Sequence, residues 1–404
     1  MTGRTVLTGP LRDLLAEYDG IAQTALGQPA ATDMDFAALD PLLHHQLDTP
    51  GPDAPQTASV ARLARHVLSV VAGVMRAPMH GWAGAVHGGP LAATVDMLAQ
   101  VRARHPDLVV YLTRTGHGHV RQAVTTLGLP VQIVRHSTSG AMNLLHLTAT
   151  LRRNARTTAP AMIVASVGTP ATEAVDDVVE VRAATATHPA AVHVHADAPL
   201  AGWHRGLLDA EAATRARFDL IDGADSVVLA GQFLGTPRPS AILLHRAQLT
   251  FTNETHSDRR ARGVDAAPSR LGTSVGTDGA AAVVQLWHAI NVIGVDGHAS
   301  RARRARALAR YTLRRLQETK WSAWAHPDAV TVLLQPPSAA LRQRWSMPVD
   351  DGWARIVCMP GRTEAHIDQF LAELARDQPP QQRATAPPGS SVDPGRPADA
   401  RRAR

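Results

Sequence analysis

The sequence predicts an α/β protein with a large domain built on a mainly parallel sheet and a smaller C-terminal α+β unit. From Leu91 onward, short all-apolar runs alternate with amphipathic segments, the pattern of crossover units on a sheet buried on both faces. With 404 residues, 45% of them hydrophobic and 19% charged, the chain is also long enough to bury a sizeable core without disulfides.

Residues 10–30 and 59–76 carry apolar side chains at near-helical spacing on either side of a Pro-, Gly- and Asp-rich stretch around Thr49 to Gln56, and read as helices leading into the larger unit. The alternation then predicts helices over 91–104, 119–127, 141–154 and 174–187, interleaved with strands over 108–112, 131–134, 161–165 and 191–196. Apolar runs at 226–230 and 241–244 precede a polar stretch from Asn253 to Ser269 with the composition of a long surface loop. A helix over 280–293, an arginine-rich helix over 300–318, strands near 329–334 and 354–358 and a helix over 363–375 form the small unit. From Asp377 on, Pro, Gly, Gln, Ser and Arg replace apolar residues and predict disorder. The expected division is an N-terminal helical segment (1–58), a large domain (59–270), a small domain (271–376) and a tail (377–404), with no internal repeat.

Composition excludes several classes. No run approaches the roughly eighteen apolar residues of a membrane span, and Met1 to Pro10 lack the apolar block of a secretion signal, so a cytoplasmic protein without membrane partners is expected. Cys358 is the single cysteine, which forbids an internal disulfide and every multi-cysteine metal site; in the apolar run Arg355 to Met359 it reads as a packed strand residue. Of 41 basic residues only Lys320 is lysine. The net charge of +6 resides largely in Arg301 to Arg315 and in the final residues, and with 4% aromatics and no finger or RNP signature no nucleic-acid partner is expected.

Val192 to Asp197 alternates, and side chains on a strand repeat every two residues, so His193, His195 and Asp197 share one face. Read alone, this is either a candidate metal site of the His-x-His kind, or a strand whose inner histidine packs and whose end faces a pocket.

Several collinear segments raise a resemblance. They are Trp82 to Gly89 with the Gly88-Gly89 pair, Pro106 to Tyr111 followed by His117, Gly140 to Asn143, Val167-Gly168-Thr169 leading to Val175-Asp176-Asp177, His195 to Gly202, and Phe233 to Pro239. Across roughly residues 60 to 375 the chain resembles the group II pyridoxal-phosphate-dependent amino-acid decarboxylases of the histidine decarboxylase type. The resemblance implies fold type I and a dimer with active sites at the subunit interface. It implies that Asp197 matches the carboxylate that keeps the cofactor's pyridine nitrogen protonated, that His117 matches the imidazole stacked on the ring, and that Gly88, Gly89 and Ala198 lie in the cofactor pocket.

The departures concern the cofactor. Where the family reads Ser-Gly-His-Lys, this chain reads Leu229-Ala230-Gly231-Gln232. Gln232 thus stands at the imine lysine's position, and an amide nitrogen, its lone pair delocalised into the carbonyl, forms no imine. Leu229 replaces a phosphate-binding hydroxyl, Pro90-Leu91 replaces Thr-Glu after the glycine pair, and Pro170 replaces the second threonine of Gly-Thr-Thr. Lys320, at the end of the arginine-rich helix, matches no catalytic position and is expected at the surface. Pyridoxal phosphate is therefore the family's cofactor, while these changes count against its binding here and most of all against covalent binding. The resemblance leaves two expectations: a partner or regulatory subunit without decarboxylase activity, as a homodimer or a heterodimer with a lysine-bearing relative, or an enzyme of specialised small-molecule biosynthesis. The latter would use His117, His119, His195 and Asp197 without an imine, or hold the cofactor non-covalently or through a partner's lysine.

Overall fold

The computed structural model describes residues 9–43, 45, 55–78, 80–154, 159–208, 216–246 and 279–377. Seven strands form the main sheet: β1 (Trp82–His87), β2 (Val109–Thr113), β3 (Val131–Val134), β4 (Ala161–Ser166), β5 (Val192–Asp197), β6 (Ser226–Ala230) and β7 (Ala241–Arg246). Their order is β1-β7-β6-β5-β4-β2-β3; only β7 runs against its neighbours, and the other pairs are parallel as the alternation predicts.

Helices α1 (Pro10–Thr24), α2 (Asp40–Leu43) and α3 (Pro55–Val74) precede the sheet, and α4 (Pro90–Arg104) and α5 (Gly118–Thr126) cover one of its faces. Together with α3, helices α6 (Leu144–Asn154), α7 (Val178–Thr185) and α8 (Ala201–Leu208) cover the other. Two helices begin later than apolar spacing suggests because a polar cap sets the start. The Asn143 side chain accepts from the His146 amide at 2.9 Å, and Asp177 accepts from Val179 and Glu180 at 2.9 and 3.1 Å.

The separate helices expected over 280–293 and 300–318 form one helix, α9 (Gly279–Glu318), bent at Gly294 (φ 66°, ψ 177°). That conformation is open to glycine almost alone, so the chain turns there without a loop. The first part of α9 packs in the main core through Val283, Leu286 and Ala289; its last turns reach a second core through Leu308 and Leu316. The second core lies on a four-stranded antiparallel sheet, β8 (Ala323–Trp324), β9 (Thr331–Leu334), β10 (Val349–Asp350) and β11 (Trp353–Val357), ordered β10-β11-β9-β8, with α10 (Ala339–Arg344) and α11 (Glu364–Leu374). Cys358 lies in this core, 1% exposed, and burial pushes its thiol pKa up to about 12. The loop expected over 253–269 and the tail from 378 lie outside the described residues.

Buried polar joints tie the two cores. Glu173, with φ +58° and 2% exposure, accepts from His204 Nε2 at 2.9 Å and from the backbone amides of Val330 and Thr331 at 3.1 and 2.8 Å. Burial alone would raise its pKa; the hydrogen bond from His204, the Arg205 charge and the contact at Thr331 outweigh it and hold the carboxyl at about 2. The segment after α1 lies across both cores: Leu26 pairs with Trp345 and Val357 through its backbone, and Asp33 accepts two hydrogen bonds from the buried Arg301 guanidinium. Further arginine pairs, Arg76 with Asp219 and Asp222, Arg182 with Asp225 and Arg217 with Asp177, fasten loops around the main sheet. Among the described residues no helix is long and apolar enough to cross a membrane.

Candidate functional site

The carboxyl ends of every main-sheet strand except β7 lie along one edge, where each chain crossover leaves the sheet and ligands of open α/β sheets bind. Every residue that the sequence singles out for the cofactor pocket lies along this edge. Gly88 and Gly89 join β1 to α4, His117 caps the start of α5 after β2, Asp197 ends β5 with Ala198 next, and Gln232 lies in a 3-10 turn, Gly231–Leu234, directly after β6. Gly89 has φ +139°, a region that favours glycine, and a Cβ there would meet Pro239 at 3.4 Å, so this turn abuts the segment following Gln232. Ala198 is fully buried and donates its amide to Val228, which holds the end of β5 against β6.

Asp197 and His117 are brought together, and His119 joins them. His117 Nδ1 is 2.8 Å from Asp197 Oδ2, and His119 Nε2 is 2.9 Å from Oδ1, so each carboxylate oxygen is paired with an imidazole. The two rings stack with centroids 5.4 Å apart and planes 30° apart. Side-chain exposure is 17% for His117, 13% for His119 and 0% for Asp197, so the imidazoles cover the acid. Burial alone would raise the pKa of Asp197; the charge of His117 and the hydrogen bonds from both rings reverse this and hold the carboxyl far below the usual carboxylate range.

Deeper along β5, His193 Nε2 and His195 Nδ1 both lie 2.8 Å from Ser226 Oγ. A hydroxyl has one proton, so Ser226 donates to one ring and accepts from the other. Burial lowers both histidine pKa values, that of His195 to about 4, and keeps the rings neutral near pH 7. The metal alternative for His193, His195 and Asp197 finds no matching arrangement: two of its members turn to Ser226, the third to His117 and His119, and among the described residues no group of three or more His, Cys, Asp or Glu could hold an ion. His195 Nε2 is buried and meets no hydrogen-bond partner among the described residues.

The substituted positions have different surroundings. Leu229 is fully buried in the main core and packs on Gly202 of α8, where no room remains for a Cβ. Thr169 Oγ1 is used within its own loop, 3.0 Å from Thr172 Oγ1 and accepting from the Ala174 amide at 3.1 Å. The Pro170 carbonyl accepts from Arg355. The Gln232 side chain is exposed, and Lys320 is exposed in the turn after α9, where its φ is +59°.

The chain is 30% identical to a histidine decarboxylase of Mesorhizobium japonicum over 357 residues, 87% of this chain and 92% of that protein. The chain belongs to the group II pyridoxal-phosphate-dependent decarboxylase family. Serine decarboxylase 2 of rice is a further relative of this decarboxylase-family protein, 26% identical over 356 residues, 87% of this chain and 74% of that one. Among solved structures, L-methionine decarboxylase from Streptomyces sp. 590 superposes with a TM-score of 0.74 at 19% identity, covering 91% of this chain and 95% of that one. The architecture is accordingly fold type I, as the resemblance implies. No family model matches the sequence.

Ser226 and Glu173 were not legible as site or joint residues. Ser226 faces His195 only because β6 is the neighbour of β5, and strand order is not written in strand periodicity. The usable signal was a lone serine opening an otherwise apolar run.

Proposed function

We propose that this decarboxylase-family protein does not carry out imine-based decarboxylation and acts as a partner or regulatory subunit, in a homodimer or beside a lysine-bearing relative. The observation that carries the reading is Gln232, exposed directly after β6 on the strand next to the one ending in Asp197. The only lysine, Lys320, lies in an exposed turn of the small domain. The residues present do not fit pyridoxal phosphate: Asp197 is covered by two imidazoles of its own chain, Leu229 offers a buried methyl surface in place of a hydroxyl, and Thr169 is committed within its loop. A surface for a partner is supported by α1, where Leu11, Leu14, Leu15 and Tyr18, at helical spacing on one face, are 47 to 64% exposed.

The test is to mix the purified chain with pyridoxal phosphate, record the aldimine absorption, and reduce with borohydride before mass determination. No adduct and no bound cofactor are expected; an adduct on Lys320 or a stoichiometric bound cofactor would overturn the reading. Co-purification from the native host with a lysine-bearing relative is the expected sign of the partner role.

One observation favours a second reading, an enzyme that uses the same pocket without an imine. Asp197 orients two partly exposed imidazoles, side chains of the kind that serve as general acid and base. Saturable turnover of an amino acid or acyl substrate, abolished by His117→Ala or Asp197→Asn, would decide for it.

A further inference from the structure

We propose that His119 is a built-in occupant of this site, its ring filling the place of a flat nitrogen heterocycle and closing Asp197 to external ligands of that class. The inference rests on the reading that this chain holds no pyridoxal phosphate, and deepens it by naming the side chain responsible. A heterocycle bound over Asp197 would need two relations, a ring nitrogen paired with the carboxylate and a ring face against His117. His119 makes both: its Nε2 is 2.9 Å from Asp197 Oδ1, and its ring stacks on that of His117 at 5.4 Å with a tilt of 30°. The result is a carboxylate with 0% exposure, each of whose oxygens is taken by an imidazole.

The placement is fixed by the fold. His119 is the second residue of α5, so its backbone is held by the helix, and His117 at the cap lies two residues before it. The pair brackets Asp197, whose main chain is held at the end of β5 by the Ala198 amide on Val228. Deleting the His119 ring therefore leaves an imidazole-sized space bounded by an ionised, half-paired carboxylate on one side and the face of His117 on another. A buried carboxylate without its partner is costly, so a small heterocyclic cation entering this space regains a charge-assisted hydrogen bond. The ligand class of the opened site is a flat, protonatable nitrogen heterocycle such as imidazole or a pyridine.

The experiment uses the full chain with His119→Gly, titrated with imidazole by calorimetry and by thermal unfolding, beside the wild type and the double variant His119→Gly with Asp197→Asn. The single variant is expected to melt lower than wild type, to recover with imidazole, and to bind it at 1:1 at least about tenfold tighter than the wild type does. The double variant should lose the response. Equal imidazole responses in wild type and His119→Gly, or none in either, would overturn the inference. Should His119→Gly not fold, His119→Ala gives a smaller opening to be read in the same way. Pyridoxal phosphate added to the same proteins separates the two readings. Uptake by His119→Gly alone supports both; uptake by the wild type overturns the proposed function and this inference together; an imidazole-insensitive variant with a cofactor-free wild type removes this inference only.

Discussion

Glu173 offers a quantitative test of how the two cores are joined. Its carboxylate receives the His204 ring nitrogen and the amides of Val330 and Thr331, and the surroundings hold its pKa at about 2 against an ordinary 4.5. That difference corresponds to about 3 kcal/mol of preference for the ionised form in the folded state. Glu173→Gln keeps the shape, but its amide group turns an N–H toward groups that are themselves donors, so a loss of about 3 kcal/mol at pH 7 is expected. The sign with pH follows from the lowered pKa. The contribution is fully present above about pH 4.5 and fades as the pH falls toward 2, so the gap between wild type and variant should narrow over that range. Urea unfolding of both proteins between pH 7 and pH 3 measures it. A variant within about 0.5 kcal/mol of wild type at pH 7, the ordinary range of a neutral surface change, would refute the reasoning. So would a gap that stays constant as the pH falls.

Three other expectations follow from the same structure. Asp33→Ala strips the buried Arg301 guanidinium of its carboxylate and should cost about 3 kcal/mol in denaturant unfolding, whereas a loss under about 1 kcal/mol would mean that the segment after α1 is not anchored there. Gly294→Ala forces a Cβ into a conformation reserved for glycine and should destabilise by about 1–3 kcal/mol although open space surrounds it; an unchanged unfolding midpoint would show that the bend is not required. Cys358, 1% exposed with its thiol pKa pushed up to about 12, should resist iodoacetamide in the folded protein and react at once in urea; prompt native labelling would contradict its packing.

The sequence made local order legible and left pairing hidden. The period-two pattern of Val192 to Asp197 placed His193, His195 and Asp197 on one face, and the alternation of apolar runs gave the main sheet. What it withheld depends on contacts between distant residues: His119 on Asp197, Ser226 between two histidines, and Glu173 on Val330. The resemblance implies that His117 and Asp197, 80 residues apart, line one pocket, which no periodicity reaches far enough to show; their direct contact at 2.8 Å comes from the structure. Helix starts depart from the apolar pattern where a polar side chain rather than an apolar stripe decides, as at Asn143 and Asp177. The expected break in α9 is a bend, since a glycine can redirect a helix without ending it.

The arginine pairs around the main sheet give the molecule an unusual relation to alkali. A guanidinium keeps its proton beyond pH 12, whereas a surface rich in lysine begins to shed charge near pH 10. With one lysine among 41 basic residues, the pairs of Arg76 with Asp219 and of Arg217 with Asp177 persist where lysine pairs would dissolve. Positive charge on this protein therefore behaves as a fixed property of the chain, while whatever net charge is lost in alkali is lost through its few other titratable groups.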